Sequence, residues 1–357
     1  MSKNTTKNAH LLIAGVVVLT VVLCPASPGL AQITLGVMGD SLSDEYAEQS
    51  YSYADNWVEQ LVDAGVADAG PVAVSSWGEP RRTGYEYNWA RYAADSGDMI
   101  STGQHTGLAG QVASKGITHA LLMIGANNFA FFDPVYYDIY NGNLTPEQIQ
   151  TQHIDPLIAD IDTALQTVTP TGVQLMVCTM PDYGVVPYAQ SMYPDPVKRD
   201  AVAAAISVAS DQIIDKAFEY GVPVVDLEGI LLTVFGTHQD PNNTLQVGGV
   251  SIDLESGGGG ATNGFVDDNI HPHTLLQGML ANLFIEGFNK AYGDSIDTFS
   301  DQELLNHAGI GNLYVTDTLD AQIGNYRDYI LVPEPSTPIL LVLGLIFMTC
   351  YRKQKAS

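Results

Sequence analysis

Cysteine and basic residues are scarce in this chain, and each shortage excludes a class of protein. The 357 residues include three cysteines, too few for a disulfide framework or a cysteine-based zinc site. Lysine and arginine number 14 against 40 aspartates and glutamates, which gives a formal charge of −26 at pH 7. Because nucleic acid binding needs a basic surface to meet the phosphates, we exclude nucleic acid as a partner. The sequence also has no fixed-period repeat.

Apolar residues, in contrast, are plentiful. They make up 46% of the chain, and charged residues only 15%, so a sizeable core can be buried. The length suits one large domain or two small ones.

The first 31 residues have the layout of a secretory signal peptide. Two lysines precede an apolar run, Leu11–Leu23, and small or turn-forming residues follow it, so we expect cleavage after Ala31. Cys24 follows Leu23, where a lipoprotein signal requires a small residue, and this disfavours lipidation. We therefore expect the rest of the chain to be exported.

The C-terminus combines Val-Pro-Glu-Pro at 332–335, an apolar stretch from Pro338 to Cys350 and a basic tail. This order resembles the PEP-CTERM sorting signal of bacteria that make extracellular polysaccharide. The resemblance implies cleavage by an exosortase-like protease, with the protein transiently anchored in the membrane before its release or attachment at the cell surface. A plain membrane anchor is the alternative, although the stretch is short for a permanent span. In both cases the basic end stays cytoplasmic and the domain lies outside.

Short apolar runs alternate with helix-like segments between these two signals. Four runs have the character of strands buried on both faces: Ile33–Met38, His119–Gly125, Val173–Met180 and Val222–Leu227. Between them, Thr145–Val168 and Lys198–Tyr220 have helical spacing. The alternation predicts an α/β fold, a three-layer sandwich with a central, mostly parallel sheet flanked by helices. Cys178 lies in the third run and is expected to be buried.

Three segments do not follow this alternation of strands and helices. Residues 71–100 and the aromatic-rich residues 126–144 fall on the carboxyl side of predicted strands, where binding groups gather in a parallel sheet. The aromatics line a cleft there, or simply pack against the sheet. The third segment, 236–267, is a Gly- and Asn-rich insertion in which residues 245–254 predict a strand pair.

The first apolar run ends abruptly in Gly-Asp-Ser-Leu at 39–42. Ser41 therefore follows a buried strand and precedes a candidate helix, so its hydroxyl and its backbone N–H can face the same space. A serine hydroxyl becomes a nucleophile only when a base takes its proton. The alternative is a turn serine that caps the following helix, which is a common use of serine.

A candidate base lies far along the chain. Of the eight histidines, only His271 has an aspartate three residues earlier, Asp268. This spacing places both side chains on one side of a single turn, so the carboxylate can accept the ring N–H while the other nitrogen faces outward. A third element is Asn127, directly after the second predicted strand, whose side-chain N–H could be donated to an oxyanion. A turn asparagine is the simpler interpretation of Asn127 alone.

Together these segments resemble the GDSL, or SGNH, hydrolase family of esterases and lipases, over most of residues 33–292 and in the family's order. The resemblance implies a flavodoxin-like SGNH-hydrolase fold. It implies Ser41 as nucleophile and backbone oxyanion donor, Asn127 as side-chain oxyanion donor, and Asp268 with His271 as the rest of the triad. The family's Gly-x-Asn-Asp block ends here in Asn128, a departure that spares the donor and leaves open whether the loop that aims Asn127 is loosened.

The family's second block supplies a glycine N–H to the oxyanion. Aligned from Asn88 and Trp89, that position falls on Ala93, and Gly97 is the other candidate. A backbone donor tolerates alanine where φ is negative and is strained where φ is positive.

The sequence thus predicts a secreted or surface-associated serine esterase. It would hydrolyse small-molecule, lipid or carbohydrate esters through an acyl-enzyme, without metal or cofactor. Two acidic loops, 238–243 and 265–269, match no calcium-loop spacing. The alternative is a weak or inactive SGNH-fold binding protein of the extracellular polysaccharide layer. The predicted organisation is a signal peptide at 1–31, a hydrolase domain at 32–298, an extension or linker at 299–332 and the sorting signal at 333–357.

Overall fold

The computed structural model describes residues 33–78, 83–311 and 315–334. The predicted signal peptide lies outside these ranges, as do the apolar stretch and basic tail of the predicted sorting signal. Inside them, none of the helices has the combined length and apolar character needed to cross a bilayer.

The strands follow the apolar runs of the sequence. In chain order they are β1 (Ile33–Gly39), β2 (Ala67–Asp68), β3 (His119–Met123), β4 (Gln174–Cys178), β5 (Val224–Val225), β6 (Gly236–Thr237), β7 (Asp240–Pro241), β8 (Thr244–Val247), β9 (Val250–Gly257), β10 (Asn263–Phe265) and β11 (Ile330–Leu331). The four predicted strands correspond to β1, β3, β4 and β5. The last is shorter than predicted, because Pro223 cannot donate to a strand ladder and Asp226 caps the helix that begins at Leu227. Cys178 ends β4 and is buried, as predicted.

The main sheet of the described residues has six strands in the order β11-β5-β4-β3-β1-β2. All neighbouring strands are parallel except β11, which runs antiparallel to β5 at the edge. The predicted extension thus contributes an edge strand to the sheet. Every residue of β3 is buried, and so is every residue of β1 except Thr34, as expected for central strands with both faces covered.

Helices cover the sheet in two layers. In chain order they are α1 (Trp57–Asp63), α2 (Ser96–Ser101), α3 (Gln104–Lys115), α4 (Pro134–Tyr140), α5 (Pro146–Ile149), α6 (Asp155–Val168), α7 (Pro187–Met192), α8 (Pro196–Glu219), α9 (Leu227–Phe235), α10 (Thr274–Tyr292), α11 (Asp301–His307) and α12 (Asp320–Ile323). In one layer, α1 packs against α10, and α10 packs on β4, β5 and β11. In the other layer, α3 packs on β1 and contacts α6, which in turn contacts α8. The predicted three-layer α/β fold is confirmed.

One predicted helix is interrupted. The segment predicted as a single helix over Thr145–Val168 forms α5, a π-helical stretch at Gln150–Ile154, and α6. Pro156 lies in the first turn of α6 and has no N–H to donate to the preceding turn, which explains why regular α-helix stops there. The other predicted helix is confirmed as α8, and it begins two residues early because Asp195 caps it ahead of Pro196.

The carboxyl ends of β1, β3, β4 and β5 lie at one edge of the sheet, and the loops that follow them carry the candidate residues. The predicted strand pair in the insertion is confirmed as the β8–β9 hairpin. Gly248 and Gly249 both have positive φ, as the tightest hairpin turns require. After β10 the chain returns to this edge at Asp268 and His271.

Candidate active site

Ser41 lies in a turn fixed by the residues before and after it. A side chain at Gly39 would place its Cβ 2.4 Å from the Met123 carbonyl of β3, so only glycine allows β1 to end here. The Asp40 carboxylate then accepts the Leu42 N–H at 3.0 Å, closing the turn around Ser41. Ser41 itself is buried.

His271 joins Ser41 to Asp268. Its Nε2 lies 2.7 Å from the Ser41 hydroxyl, and its Nδ1 lies 2.5 Å from Oδ2 of Asp268. The other oxygen, Oδ1, accepts the backbone N–H groups of Ile270 and His271. One carboxylate therefore shapes the turn and orients the ring that the turn carries. The predicted residues Ser41, Asp268 and His271 are brought into one hydrogen-bonded chain.

The charged form of Asp268 is favoured. Burial acts to raise its pKa, but hydrogen bonds and the charge of His271 outweigh burial, and the pKa of Asp268 is lowered. Tyr51 adds a contact that the sequence analysis missed, because its hydroxyl donates to Oδ2 of Asp268 at 2.8 Å. No spacing rule joins two residues that lie 217 positions apart.

Aromatic rings surround the imidazole. The rings of Tyr51 and Tyr92 each lie 5.8 Å from the ring of His271, and Tyr46 meets it edge-on at 6.3 Å. Tyr46 is buried, whereas Tyr92 is 57% exposed. Tyr92 therefore lies at the solvent side of the site and Tyr46 lies beneath it.

Asn127 lies in a turn of 3-10 helix, Ala126–Phe129, directly after β3. Its side-chain N–H₂ donates to the Ala94 carbonyl at 2.9 Å, and its Oδ1 accepts the Tyr183 hydroxyl at 3.2 Å. The amide is buried and oriented from both sides. Of its two N–H bonds, the described contacts use one. Tyr183 is a second residue that sequence reasoning missed.

The two candidates for the remaining backbone donor differ in conformation and surroundings. Ala93 has φ of +60°, so an alanine occupies the left-handed conformation that favours glycine. Its neighbours reach the site, since Tyr92 packs on His271 and the Ala94 carbonyl holds Asn127. Gly97 lies exposed in the first turn of α2, and no described contact joins it to these residues.

Asn128 does not leave its loop loose. Its Oδ1 accepts the Ser96 N–H at 3.1 Å, and its Nδ2 donates to the Ser96 hydroxyl at 3.0 Å. That hydroxyl donates in turn to Asp160 of α6 at 2.7 Å. The amide thus ties the Asn127 loop to the start of α2.

Three buried carboxyl groups lie under the site. Burial raises the pKa of Asp40 to about 7, although the Leu42 N–H and the charge of His271 act to lower it. Burial also raises the pKa of Glu45 to about 8 and that of Glu59 to about 7. Part of the acidic surplus of the chain is therefore buried, with pKa values near neutral pH.

One side chain in each of the acidic loops considered for calcium, His238 and Asp268, has protein partners. His238 bridges Asp182 at 2.8 Å and Asp200 at 3.0 Å, and Asp268 holds His271. Among the residues that the structure describes, no three His, Cys, Asp or Glu side chains form a cluster that could hold a metal ion.

The chain was compared with families of known proteins, with curated protein sequences and with solved structures. A family model described as GDSL-like lipase/acylhydrolase matches residues 35–284. No curated protein sequence matches the chain. Solved structures similar to the chain include a GDSL-like lipase from Bacteroides thetaiotaomicron, with 11% identity, coverage of 72% of this chain and 88% of that one, and a TM-score of 0.40. An acetyl xylan esterase from Geobacillus stearothermophilus has 13% identity, coverage of 79% and 96%, and a TM-score of 0.40. An alpha/beta hydrolase enzyme from the metagenome of Lake Arreo has 15% identity, coverage of 80% and 100%, and a TM-score of 0.40.

Proposed function

The chain belongs to the GDSL-like lipase/acylhydrolase family of ester-bond hydrolases, and on this basis we propose that it cleaves carboxylic esters through an acyl-enzyme on Ser41. The observation that carries the proposal is the hydrogen-bonded chain of the Ser41 hydroxyl, His271 and Asp268, at 2.7 Å and 2.5 Å. An imidazole oriented by a carboxylate and touching a hydroxyl is the arrangement that activates serine.

The reaction then has two halves. His271 takes the proton of the Ser41 hydroxyl as the oxygen attacks the ester carbonyl, and Asp268 stabilises the imidazolium that forms. His271 returns the proton to the departing alcohol, leaving the acyl group on Ser41. Water attacks this acyl-enzyme with His271 again as base, and the carboxylic acid leaves with Ser41 restored.

Three N–H groups receive the oxyanion in this proposal. They are the backbone N–H groups of Ser41 and Ala93 and one side-chain N–H of Asn127. Ala93 is preferred to Gly97 because its two neighbours contact His271 and Asn127. Tyr183 holds the Asn127 amide at 3.2 Å, so the donor needs little reorganisation as charge develops.

The proposed place of action is outside the cytoplasm. The predicted signal peptide and sorting signal support export, processing by an exosortase-like protease, and release or attachment at the cell surface. The esters that a protein would meet at this location are acylated polysaccharides and lipid esters, and these are the substrate classes we propose.

A second candidate is a weak or inactive binding protein of the extracellular polysaccharide layer. The observation that favours it is that Ala93, at the position where the family has glycine, has a positive φ, a conformation that favours glycine. The hydrogen-bonded set of Ser41, His271 and Asp268 favours the enzyme, since binding alone requires none of these contacts.

The test is hydrolysis of p-nitrophenyl acetate and octanoate by the purified protein and by Ser41→Ala. We expect turnover in the wild type and a loss of at least about a thousandfold in the variant, because the covalent route is removed. Ser43→Ala is the matched control. Its hydroxyl accepts the Trp57 indole N–H at 3.2 Å, so its loss should lower stability and leave turnover within a few fold. Equal, slow release by wild type and Ser41→Ala would favour the binding protein.

A further inference from the structure

A hydrogen bond beneath the site links the chain segment of the proposed nucleophile to the turn of the proposed base. Tyr46, five residues after Ser41, donates its hydroxyl to the backbone carbonyl of Pro272 at 2.7 Å. Pro272 directly follows His271. The Tyr46 ring also meets the imidazole of His271 edge-on, with the ring centres 6.3 Å apart. The two segments are therefore joined at a second point, besides the hydrogen bond between Ser41 and His271 themselves.

Gln277, in the first turn of α10, sets the direction of this bond. Its Oε1 accepts the backbone N–H of Trp57 at 3.2 Å, so its N–H₂ group faces the Tyr46 hydroxyl, to which it donates at 2.7 Å. A hydroxyl has a single proton to donate. Because the Tyr46 oxygen accepts from Gln277, its own proton is left for the Pro272 carbonyl.

Neither side chain reaches the substrate. Tyr46 and Gln277 are both 0% exposed, so an ester bound beside Ser41 touches neither of them. Any effect that they have on turnover must therefore act through the residues that they hold. Those residues are Pro272 and, through the chain, His271.

We propose that Tyr46, with Gln277 directing its hydroxyl, is a positioning residue that sets the distance between the Ser41 hydroxyl and Nε2 of His271. This inference rests on the proposed function, because it concerns the proton transfer of the same reaction. That transfer depends on the 2.7 Å contact between the two atoms, and a displacement of about 1 Å costs up to about a hundredfold in rate.

The experiment measures kcat and KM of Tyr46→Phe with p-nitrophenyl acetate. We expect kcat to fall at least about tenfold, because His271 is the base in both halves of the reaction. KM should stay within about twofold of wild type, since the ester does not contact Tyr46. The rate at which a fluorophosphonate labels Ser41 should fall by a similar factor, because labelling needs the same base.

Tyr292→Phe is the matched control. Tyr292 ends α10 and donates its hydroxyl to the backbone carbonyl of Leu175 in β4. It lies about 22 Å along the helix from Gln277, at a rise of about 1.5 Å per residue. Both variants lose a hydrogen bond from tyrosine to a carbonyl, so both should melt about 2–5 °C lower than wild type. Only Tyr46→Phe should lose kcat.

Gln277→Glu tests the same bond if Tyr46→Phe does not fold. A carboxylate at this position has no N–H to donate and accepts the Tyr46 proton itself, so the Pro272 carbonyl loses its donor while the ring stays in place. Its other oxygen still accepts the Trp57 N–H. Above neutral pH we expect kcat to fall at least about fivefold, with KM unchanged.

The outcomes separate the two proposals. Equal kcat in folded Tyr46→Phe and Tyr292→Phe, or a change in KM alone, overturns the positioning role of Tyr46. So does an unchanged kcat in Gln277→Glu. The esterase stays intact in these cases, provided that Ser41→Ala remains slower than wild type. Equal, slow release of p-nitrophenol by wild type and Ser41→Ala overturns both proposals.

Discussion

Replacing Asp268 by asparagine tests whether this carboxylate orients the base. An amide at this position can keep its oxygen on the N–H groups of Ile270 and His271, which Oδ1 accepts at 2.8 Å and 3.0 Å. Its NH₂ group then replaces Oδ2, which now accepts from the His271 ring and from Tyr51. Because the amide N–H would then face the Nδ1–H of His271, two donors would meet. The ring proton must therefore move from Nδ1 to Nε2. The turn survives, but the ring presents an N–H to Ser41 and no longer acts as a base.

The expected cost is large because the wrong tautomer removes the base. The same carboxylate-to-amide change in a Ser-His-Asp triad lowers turnover by about ten-thousandfold. We expect a loss of that order in kcat for p-nitrophenyl acetate, with KM changed little.

Asp267→Asn is the matched control for Asp268→Asn. It makes the same change of charge one residue earlier, at an exposed side chain. Its turnover should stay within about threefold of wild type, since exposed charges are screened by salt and no described contact joins the Asp267 carboxylate to His271. The reasoning is refuted if Asp268→Asn, shown by thermal unfolding to be folded, keeps turnover within tenfold of wild type. It is also refuted if the two variants lose the same activity.

Three further predictions concern the surroundings of the site. Ala93→Gly should stabilise the protein by about 0.5–1 kcal/mol in denaturant unfolding, because relief of an unfavourable φ worth about 1–2 kcal/mol exceeds the added chain entropy of glycine. Lower stability in the variant would contradict this. Tyr51→Phe should lower kcat/KM about tenfold by removing a hydrogen bond to a charged carboxylate, with Tyr53→Phe within about twofold as control. Equal rates in the two variants would show that the Tyr51 hydroxyl does not matter. Asp40 and Glu45 have pKa values raised to about 7 and about 8, so the folded state binds more protons than the unfolded state. Stability should therefore fall as pH rises from about 5 to 8, and a higher melting temperature at pH 8 than at pH 5 would contradict the sign.

The parts of the site that depend on local spacing were predictable. The first apolar run and its Gly-Asp-Ser-Leu ending predict both β1 and the turn at Ser41. The spacing of Asp268 and His271 predicts a contact within one turn, and the structure has it at 2.5 Å. Such features follow from a few consecutive residues, so no knowledge of the tertiary fold is needed.

The supporting contacts could not be predicted, because they join distant segments. Tyr51 meets Asp268 across 217 residues, and Tyr183 meets Asn127 across 56. Neither tyrosine belongs to a motif, and their hydroxyls gain these roles only when the loops meet at the edge of the sheet.

Two other differences have local physical reasons. The φ of +60° at Ala93 is unusual for alanine, so no pattern identified its turn in advance. Pro156 indicated the break ahead of α6 in the sequence. The apolar residues on both sides of it keep a helical spacing, and a single helix was therefore predicted.

The most direct test of an activated Ser41 is labelling with a fluorophosphonate, followed by mapping of the labelled peptide. This reagent reacts with a serine whose hydroxyl has a base beside it, and it assumes no substrate. We predict one labelled peptide, containing Ser41, in the wild type and its loss in His271→Ala. Absence of label from Ser41, or equal labelling of Ser41 in the folded His271→Ala variant, would contradict the account.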